Sequence, residues 1–178
     1  KYIFNIIQKL NKGYDVVNTS RFQPGGGQRG IGFYRAFISY GANLFMKILL
    51  LVRNVKDFSC GFRGYKARVI KDAIAIYGIN FLQLRGLGFT STLEIIIKMK
   101  MLGCKFAEIP FELRYDKKLS SSKMIGSITT FGYLVMAVLY HWPLGGWRVA
   151  YSEVRKFYKL DRDRIMKKYT QSGYEKFI

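Results

Sequence analysis

Val55-Lys56-Asp57-Phe58-Ser59-Cys60-Gly61-Phe62-Arg63-Gly64-Tyr65 concentrates a carboxylate, a hydroxyl, glycines and an arginine in a chain otherwise poor in acids. Gly61 tolerates backbone angles that a side chain forbids, so the stretch reads as a sharp turn that exposes main-chain N–H groups. Phe58, Phe62 and Tyr65 are its expected anchors in a core. Such a turn presents Asp57 and Arg63 to a small polar ligand. On spacing alone, an internal Asp57–Arg63 ion pair that only pins the turn accounts for the same residues equally well.

Working outward, Phe62 to Tyr65 reads as a short strand leading into a helix over Ala67 to Tyr77. Upstream, helical spacing predicts a long helix from Phe33 to Leu51, with Phe37, Tyr40, Leu44, Ile48 and Leu51 on one apolar face. Before it, Arg21 to Gly30 with Gly25, Gly26 and Gly27 is too glycine-dense for regular structure and is expected to be a mobile, basic loop. Asp15 to Ser20 reads as a strand, and Tyr2, Ile3, Ile6, Ile7 and Leu10 as an amphipathic helix capped by Gly13. Downstream, Ser91 or Thr92 can cap a helix running to Leu102, with Glu94 in its first turn. Lys105 to Ile109 and Phe111 to Arg114 are strands broken by Pro110. Helices interleaved with short strands give an α/β fold class.

The chain has 178 residues, 49% of them hydrophobic, and a net charge of +19, which together fit one ordered domain with anionic partners. Nucleic acid, an anionic lipid surface and a phosphate-bearing substrate all meet that requirement. No Asp or Glu occurs from Val16 to Lys56, so that region forms a positive face. Two cysteines, Cys60 and Cys104, are too few for a disulfide framework and point to a reducing, cytoplasm-facing setting. His141 lies in an apolar run, and no Ser/His/Asp arrangement can be assembled around it. The chain starts at Lys1, inside what reads as a structured element, and so reads as part of a longer polypeptide.

From Ile125 to Trp147 there is no charged residue, but Gly126, Ser127, Thr129 and Thr130 dilute the start and Pro143, Gly145 and Gly146 break the end. Residues 125–147 are therefore read as one apolar helix, interfacial or re-entrant at a membrane. Residues 148–178 carry nine Lys or Arg against four acids and read as a basic amphipathic tail suited to anionic lipid.

Two further groups suit a phosphate. Arg114 ends a strand and is followed by a Ser-rich loop with Lys117, Lys118 and Lys123; an arginine fork, lysine point charges and hydroxyl donors are phosphate ligands. Arg21 and the glycine loop could form an anion-binding concavity of main-chain N–H groups. Each also reads as a solvated basic loop, and Glu94 as a helix-dipole contact.

The ordered set Ser20-Arg21-Phe22, Gly25-Gly26-Gly27, Arg35, Ala42-Asn43, Asp57 through Tyr65, Glu94, Ile109-Pro110-Phe111 and Arg114 through Ser122-Lys123-Met124 resembles the family 2 glycosyltransferases. Within them it is most similar to the polyprenyl-phosphate sugar transferases related to dolichol-phosphate mannose synthase. The resemblance covers roughly Asp15 to Met124. It implies a partial GT-A, Rossmann-like domain over residues 1–124 that moves a hexose from a GDP- or UDP-sugar to a polyprenyl phosphate by in-line inversion.

The same resemblance implies roles. Asp57, Arg63 and Glu94 are catalytic, with Asp57 beside the donor sugar and Arg63 supporting it. Arg21, Arg114, Lys118 and Lys123 hold donor or acceptor phosphate, and Gly25, Gly26 and Gly27 belong to an acceptor loop over the site. It also implies a divalent metal, Mg or Mn, whose Asp-x-Asp ligands precede the matched region; no metal ligand is assigned in this chain, and alone it is expected to be inactive. The segment from Arg114 to Lys123 is longer than the usual Arg-x-x-Gly-x-Ser-Lys form, which leaves the sugar open. The setting implied is the cytoplasmic face of a membrane, with no nucleic acid bound. The alternatives are another lipid or a sugar as acceptor, or a non-catalytic basic module that binds lipid or nucleic acid.

Overall fold

The computed structural model describes residues 1–87, 90–117, 126–141 and 146–171, apart from the side chains of 35, 117, 126, 127, 170 and 171. The chain divides into two compact units, the first from Lys1–Tyr65 with Lys105–Lys123 and the second from Lys66–Cys104 with Met124–Ile178. Strands and helices mix as expected for an α/β chain.

The first unit is built on β1, Val16–Ser20, whose five residues are all buried. β1 pairs antiparallel with β3, Arg63–Tyr65, and parallel with β4, Phe106–Pro110, giving the order β3-β1-β4. Helix α1, Tyr2–Asn11, lies on this sheet, where Ile6 and its neighbours Tyr2 and Leu10 pack against Val17, Ala107 and Ile109. Gly64 runs directly beneath Ile6, and a Cβ there would overlap the isoleucine side chain, which is why the strand carries glycine at that point.

A fully buried strand written Val-Val-Asn-Thr-Ser needs partners for its polar half. They are present. The Asn18 amide donates to the Asp57 carbonyl at 2.5 Å, the Thr19 hydroxyl to the Phe62 carbonyl at 2.8 Å, and the Ser20 hydroxyl accepts from the Phe22 N–H at 3.3 Å. β1 is thus apolar at its start and a hydrogen-bonding edge at its end, where the candidate site begins.

Three expectations are corrected in this unit. The glycine loop is not without regular structure: Gly27–Arg29 forms β2, paired in parallel with β5, Glu112–Arg114. A pairing between segments so far apart in sequence leaves no local periodicity to read. Phe62 is not a core anchor but 39% exposed, leaving Phe58, 2% exposed, to hold the turn. The turn itself does not depend on a left-handed glycine at Gly61, which is not among the positive-φ residues.

Helix α2, Phe33–Leu50, has the predicted extent, and its C-cap Leu51 adopts φ 47°. Its buried stripe is Asn43, Met46 and Leu50, spaced i, i+3, i+7. The apolar stripe of Phe37, Tyr40, Leu44, Ile48 and Leu51 faces outward instead, each residue between 48% and 73% exposed.

The second unit is helical: α3, Ala67–Tyr77; α4, Thr90–Met101; α5, Gly126–His141; α6, Gly146–Ala150; α7, Ser152–Phe157; and α8, Arg162–Gln171. The apolar run is thus a helix from Gly126 to His141 followed by a second short helix, and residues 142–145 lie outside the described residues. No helix among the described residues is long and apolar enough to cross a membrane. The stripe expected on the tail is packed: Val154, Tyr158 and Ile165 are buried. Asp72 of α3 ties α8 down by accepting from Arg162 Nε and Nη2 and from the Tyr158 hydroxyl, each at 2.6 Å.

Candidate functional site

The end of β1 delivers Arg21 into the turn that Asp57 organises. Arg21 Nε and Nη2 donate to Asp57 Oδ2 and Oδ1 at 2.7 and 2.8 Å, a bidentate pair, and the Arg21 main-chain N–H adds a third bond at 3.1 Å. Asp57 Oδ1 also accepts from the Ser59 N–H, the Ser59 hydroxyl and the Cys60 N–H at 3.2, 3.1 and 3.1 Å. The side chain therefore folds the turn around itself. Asn43 of α2 closes it from behind, its Oδ1 accepting from the Phe58 N–H at 2.7 Å.

Asp57 is the partner of Arg21, not of Arg63. The ion pair read as an alternative exists with a different arginine, and the carboxylate is 0% exposed with every lone-pair direction occupied. Burial pushes its pKa up, but the hydrogen bond and charge of Arg21 outweigh that and hold it below the usual carboxylate range. Burial likewise opposes the charge of Arg21, and Asp57 overcomes it to raise that pKa. In this arrangement Asp57 fixes a cation; it is not poised to take a proton.

All five N–H groups of Arg21 are used. Those not facing Asp57 reach the Ser59 hydroxyl at 2.5 Å, Gln28 Oε1 at 3.2 Å and the Ser39 hydroxyl at 3.3 Å. The two longest bonds, both from Nη1, go to neutral acceptors. An entering anion can replace those at least cost, because they are long and their acceptors lack the opposite charge that the Asp57 oxygens supply.

Arg63 stands opposite Asn18 in the sheet and donates Nε to Asn18 Oδ1 at 2.6 Å and Nη2 to the Phe58 carbonyl at 2.9 Å. It buttresses the turn. Gly26 is required by close approach, since a Cβ would sit 2.5 Å from the Ser20 carbonyl oxygen. The expected cradle of free glycine N–H groups is not what forms: the Gly26 N–H is given to the Gln23 carbonyl at 2.8 Å and that of Gly27 to the Phe111 carbonyl at 3.1 Å. Gly25, at φ 83°, turns the chain beside Pro110.

Arg114 ends β5 with Arg29 in register beside it. It is paired with Asp116 at 2.6 Å, which raises its pKa, and Arg29 is paired with Glu112. Lys118 and Lys123 lie outside the described residues. Glu94 belongs to the second unit, where its carboxylate accepts from the Gln83 and Leu84 N–H groups at 2.8 and 3.2 Å. Burial pushes its pKa up against those two bonds.

Sequence reading passed over Gln28, Ser39 and Glu108. Glu108 Oε1 accepts from the Lys56 and Asp57 N–H groups and from the Asn18 amide, and Oε2 from the Gln23 amide. The available signal was an acid between Ala107 and Ile109 in a short apolar strand. A cavity of about 200 Å³ opens alongside, lined by Phe22, Tyr40, Asn43, Leu44, Lys47 and Lys56: apolar walls with two ammonium groups. Among the described residues no three His, Cys, Asp or Glu side chains come together as a metal site.

No protein-family model matches the chain. The chain is 32% identical over 130 residues to a dolichol-phosphate mannosyltransferase of Pyrococcus furiosus, covering 72% of this chain and 33% of that protein. It is 29% identical over 114 residues to an undecaprenyl-phosphate mannosyltransferase of Micrococcus luteus, covering 64% and 44%. To a polyprenol monophosphomannose synthase of Mycolicibacterium smegmatis it is 25% identical over 122 residues, covering 68% and 43%. The resemblance drawn from the ordered motifs is borne out, and the chain spans less than half the length of the curated relatives it matches.

Proposed function

We propose that this chain is the acceptor-side part of a family 2, GT-A glycosyltransferase that passes a hexose from a nucleotide-diphosphate sugar to a polyprenyl phosphate at a membrane surface. The observation that carries the reading is the sequence relation to three polyprenyl-phosphate mannosyltransferases over 64–72% of the chain. The buried Arg21–Asp57 pair gives it a physical basis. A lipid phosphate is already an anionic nucleophile, so the site needs a fixed cation more than a base.

Arg21 would meet the acceptor phosphate through Nη1, exchanging Gln28 and Ser39 for phosphate oxygens while Asp57 keeps the guanidinium in place. One phosphate oxygen attacks the anomeric carbon, the bond from that carbon to the diphosphate oxygen breaks, and the nucleoside diphosphate leaves with the electron pair. Arg114, with Lys118 and Lys123, is assigned to the phosphates. Asp57 acts through Arg21 and Arg63 through the turn. The described residues do not fit a divalent metal, because no ligand cluster forms and the Asp57 oxygens are taken; no step is routed through one.

The outward stripe of α2 is assigned to the membrane. An apolar face with Lys47, Arg53 and Lys56 beyond it and no acid from Val16 to Lys56 matches an anionic bilayer surface. Because the relatives' names specify mannose, a mannosyl donor is the first to try. The test joins this chain to the upstream part of the Pyrococcus relative, with that relative intact as positive control, and supplies labelled nucleotide sugars with polyprenyl phosphate in vesicles. Lipid-linked sugar from the chimera supports the reading; none from any common hexose donor refutes it.

A further inference from the structure

We propose that Glu108 is a positioning residue that clamps the Asp57 turn and the glycine loop to the same point of strand β4, so that Arg21 and the acceptor loop are held in one register. The proposal rests on the function given above and extends it to a residue with no role so far. Four bonds define the clamp. Oε1 accepts from the Lys56 N–H at 2.8 Å, the Asp57 N–H at 3.0 Å and the Asn18 amide at 3.0 Å, and Oε2 accepts from the Gln23 amide at 3.0 Å.

The four partners come from three parts of the site. Lys56 and Asp57 are the entry to the turn whose carboxylate holds Arg21. Asn18 is on β1 and also accepts from Arg63, the buttress of the same turn. Gln23 is the first side chain of the glycine loop to reach back to the sheet, and its carbonyl closes the turn at Gly26. Its Oε1 lies 3.5 Å from Lys56 Nζ, so Gln23 bridges loop and turn a second time. One carboxylate therefore fixes both segments that meet at Arg21. Two adjacent main-chain N–H groups pointing at one oxygen form a small cationic nest, which an ionised carboxylate fills better than any neutral acceptor.

The clamp makes separable predictions. Glu108→Ala frees both segments and, by displacing Arg21, lowers kcat/KM for polyprenyl phosphate by about a hundredfold, the scale of an ångström-sized misplacement. The KM for the nucleotide sugar stays at its parental value, since the residue acts on the acceptor side. Glu108→Gln retains an oxygen for the two N–H groups and recovers most of the activity. Gln23→Ala frees the loop alone, and its effect shrinks in the Glu108→Ala background to what the longer Gln23–Lys56 contact still supplies, because the bond to Glu108 is already gone.

Two measurements decide it. Hydrogen exchange on the chain itself reads the clamp without catalysis: Glu108→Ala should speed exchange at Lys56, Asp57 and the Gln23–Arg29 loop, Gln23→Ala at the loop only, and Glu108→Gln at neither turn amide. Kinetics in the active chimera reads the consequence. Unchanged exchange at Lys56 and Asp57 in Glu108→Ala overturns the proposal, as does an equal rise in both substrates' KM or a Gln23 effect that is undiminished in the double variant. Should Glu108→Ala not fold, Gln23→Ala and Glu108→Gln still give the exchange pattern. A chimera without transferase activity would refute the proposed function while leaving the clamp to be decided by exchange.

Discussion

Replacing Asp57 by Asn tests the central pair. The asparagine amide can keep one oxygen toward the Ser59 and Cys60 N–H groups, but its NH₂ must then face Arg21 Nε and the Arg21 N–H, which now donate at 2.7 and 3.1 Å to Oδ2. Donor meets donor, and a guanidinium whose residue is 8% exposed loses its counter-charge. Breaking a buried ion pair by removing one partner costs about 3–5 kcal/mol. At roughly 4 °C or more per kcal/mol for a unit of this size, the melting transition of the first unit should fall by at least about 10 °C. Calorimetry on the parent and Asp57→Asn proteins measures it. A combined Arg21→Met, Asp57→Leu variant should recover only the part of the loss that comes from an unpaired charge, since a leucine at position 57 would still leave the Arg21, Ser59 and Cys60 N–H groups without the acceptor that Asp57 provides. The sign with pH is fixed by the lowered carboxyl pKa: the pair's contribution is complete above the usual carboxylate range and is lost as pH falls through the folded value. Parent and Asp57→Asn should therefore converge in acid. An Asp57→Asn protein with parental melting that has only lost activity would refute this account and restore Asp57 as a group acting directly on substrate.

Other consequences can be measured separately. Lys98 in the second unit is fully buried, with its ammonium 3.8 Å from the Trp147 ring centroid and near the rings of Tyr77 and Tyr151, and burial, partly offset by Glu94, lowers its pKa to about 8. Between pH 8 and 10.5 the unfolded lysine still holds the proton that the folded one has lost, so stability should rise by up to about 3 kcal/mol across that window, and Lys98→Met should flatten the profile. Phe37→Glu with Ile48→Glu, at positions 68% and 66% exposed, should leave melting almost unchanged yet abolish co-sedimentation with anionic vesicles. Asp72→Ala removes the acceptor that ties Tyr158 and Arg162 to α3, so trypsin should cut at Lys167 and Lys168 sooner than in the parent.

What was legible in the sequence was what local pattern encodes. The helices expected over 33–51 and 67–77 have almost the extents of α2 and α3, and the strands expected at 15–20, 62–65 and 105–109 fall within one residue of β1, β3 and β4. The order of motifs placed Arg21 and Asp57 in one site before any geometry was known. Orientation and partnership were not legible. Periodicity finds an apolar stripe on α2 but not whether it faces the sheet, and here Asn43 faces inward because it caps the Asp57 turn. Ion-pair partners are likewise set by the sheet: Asp57 is six residues from Arg63 in sequence, but β1 brings Arg21 to it from thirty-six away. Glu108 escaped notice because its four partners come from β1, the glycine loop and the turn, which only the parallel β1–β4 pairing assembles.

Those partnerships divide the work of binding from the work of holding. If Arg21 were free, an arriving phosphate would have to order a long flexible side chain at the moment of binding. Instead the charged half of its bonding is permanent, and only Gln28 and Ser39 need give way. Arg21→Lys should therefore fail to substitute: an ammonium keeps the charge but cannot span both Asp57 oxygens and still turn a planar edge toward Gln28 and Ser39. The expected result is a folded protein whose polyprenyl-phosphate affinity is lost; parental affinity in Arg21→Lys would mean that charge alone, without the bidentate fork, suffices at this position.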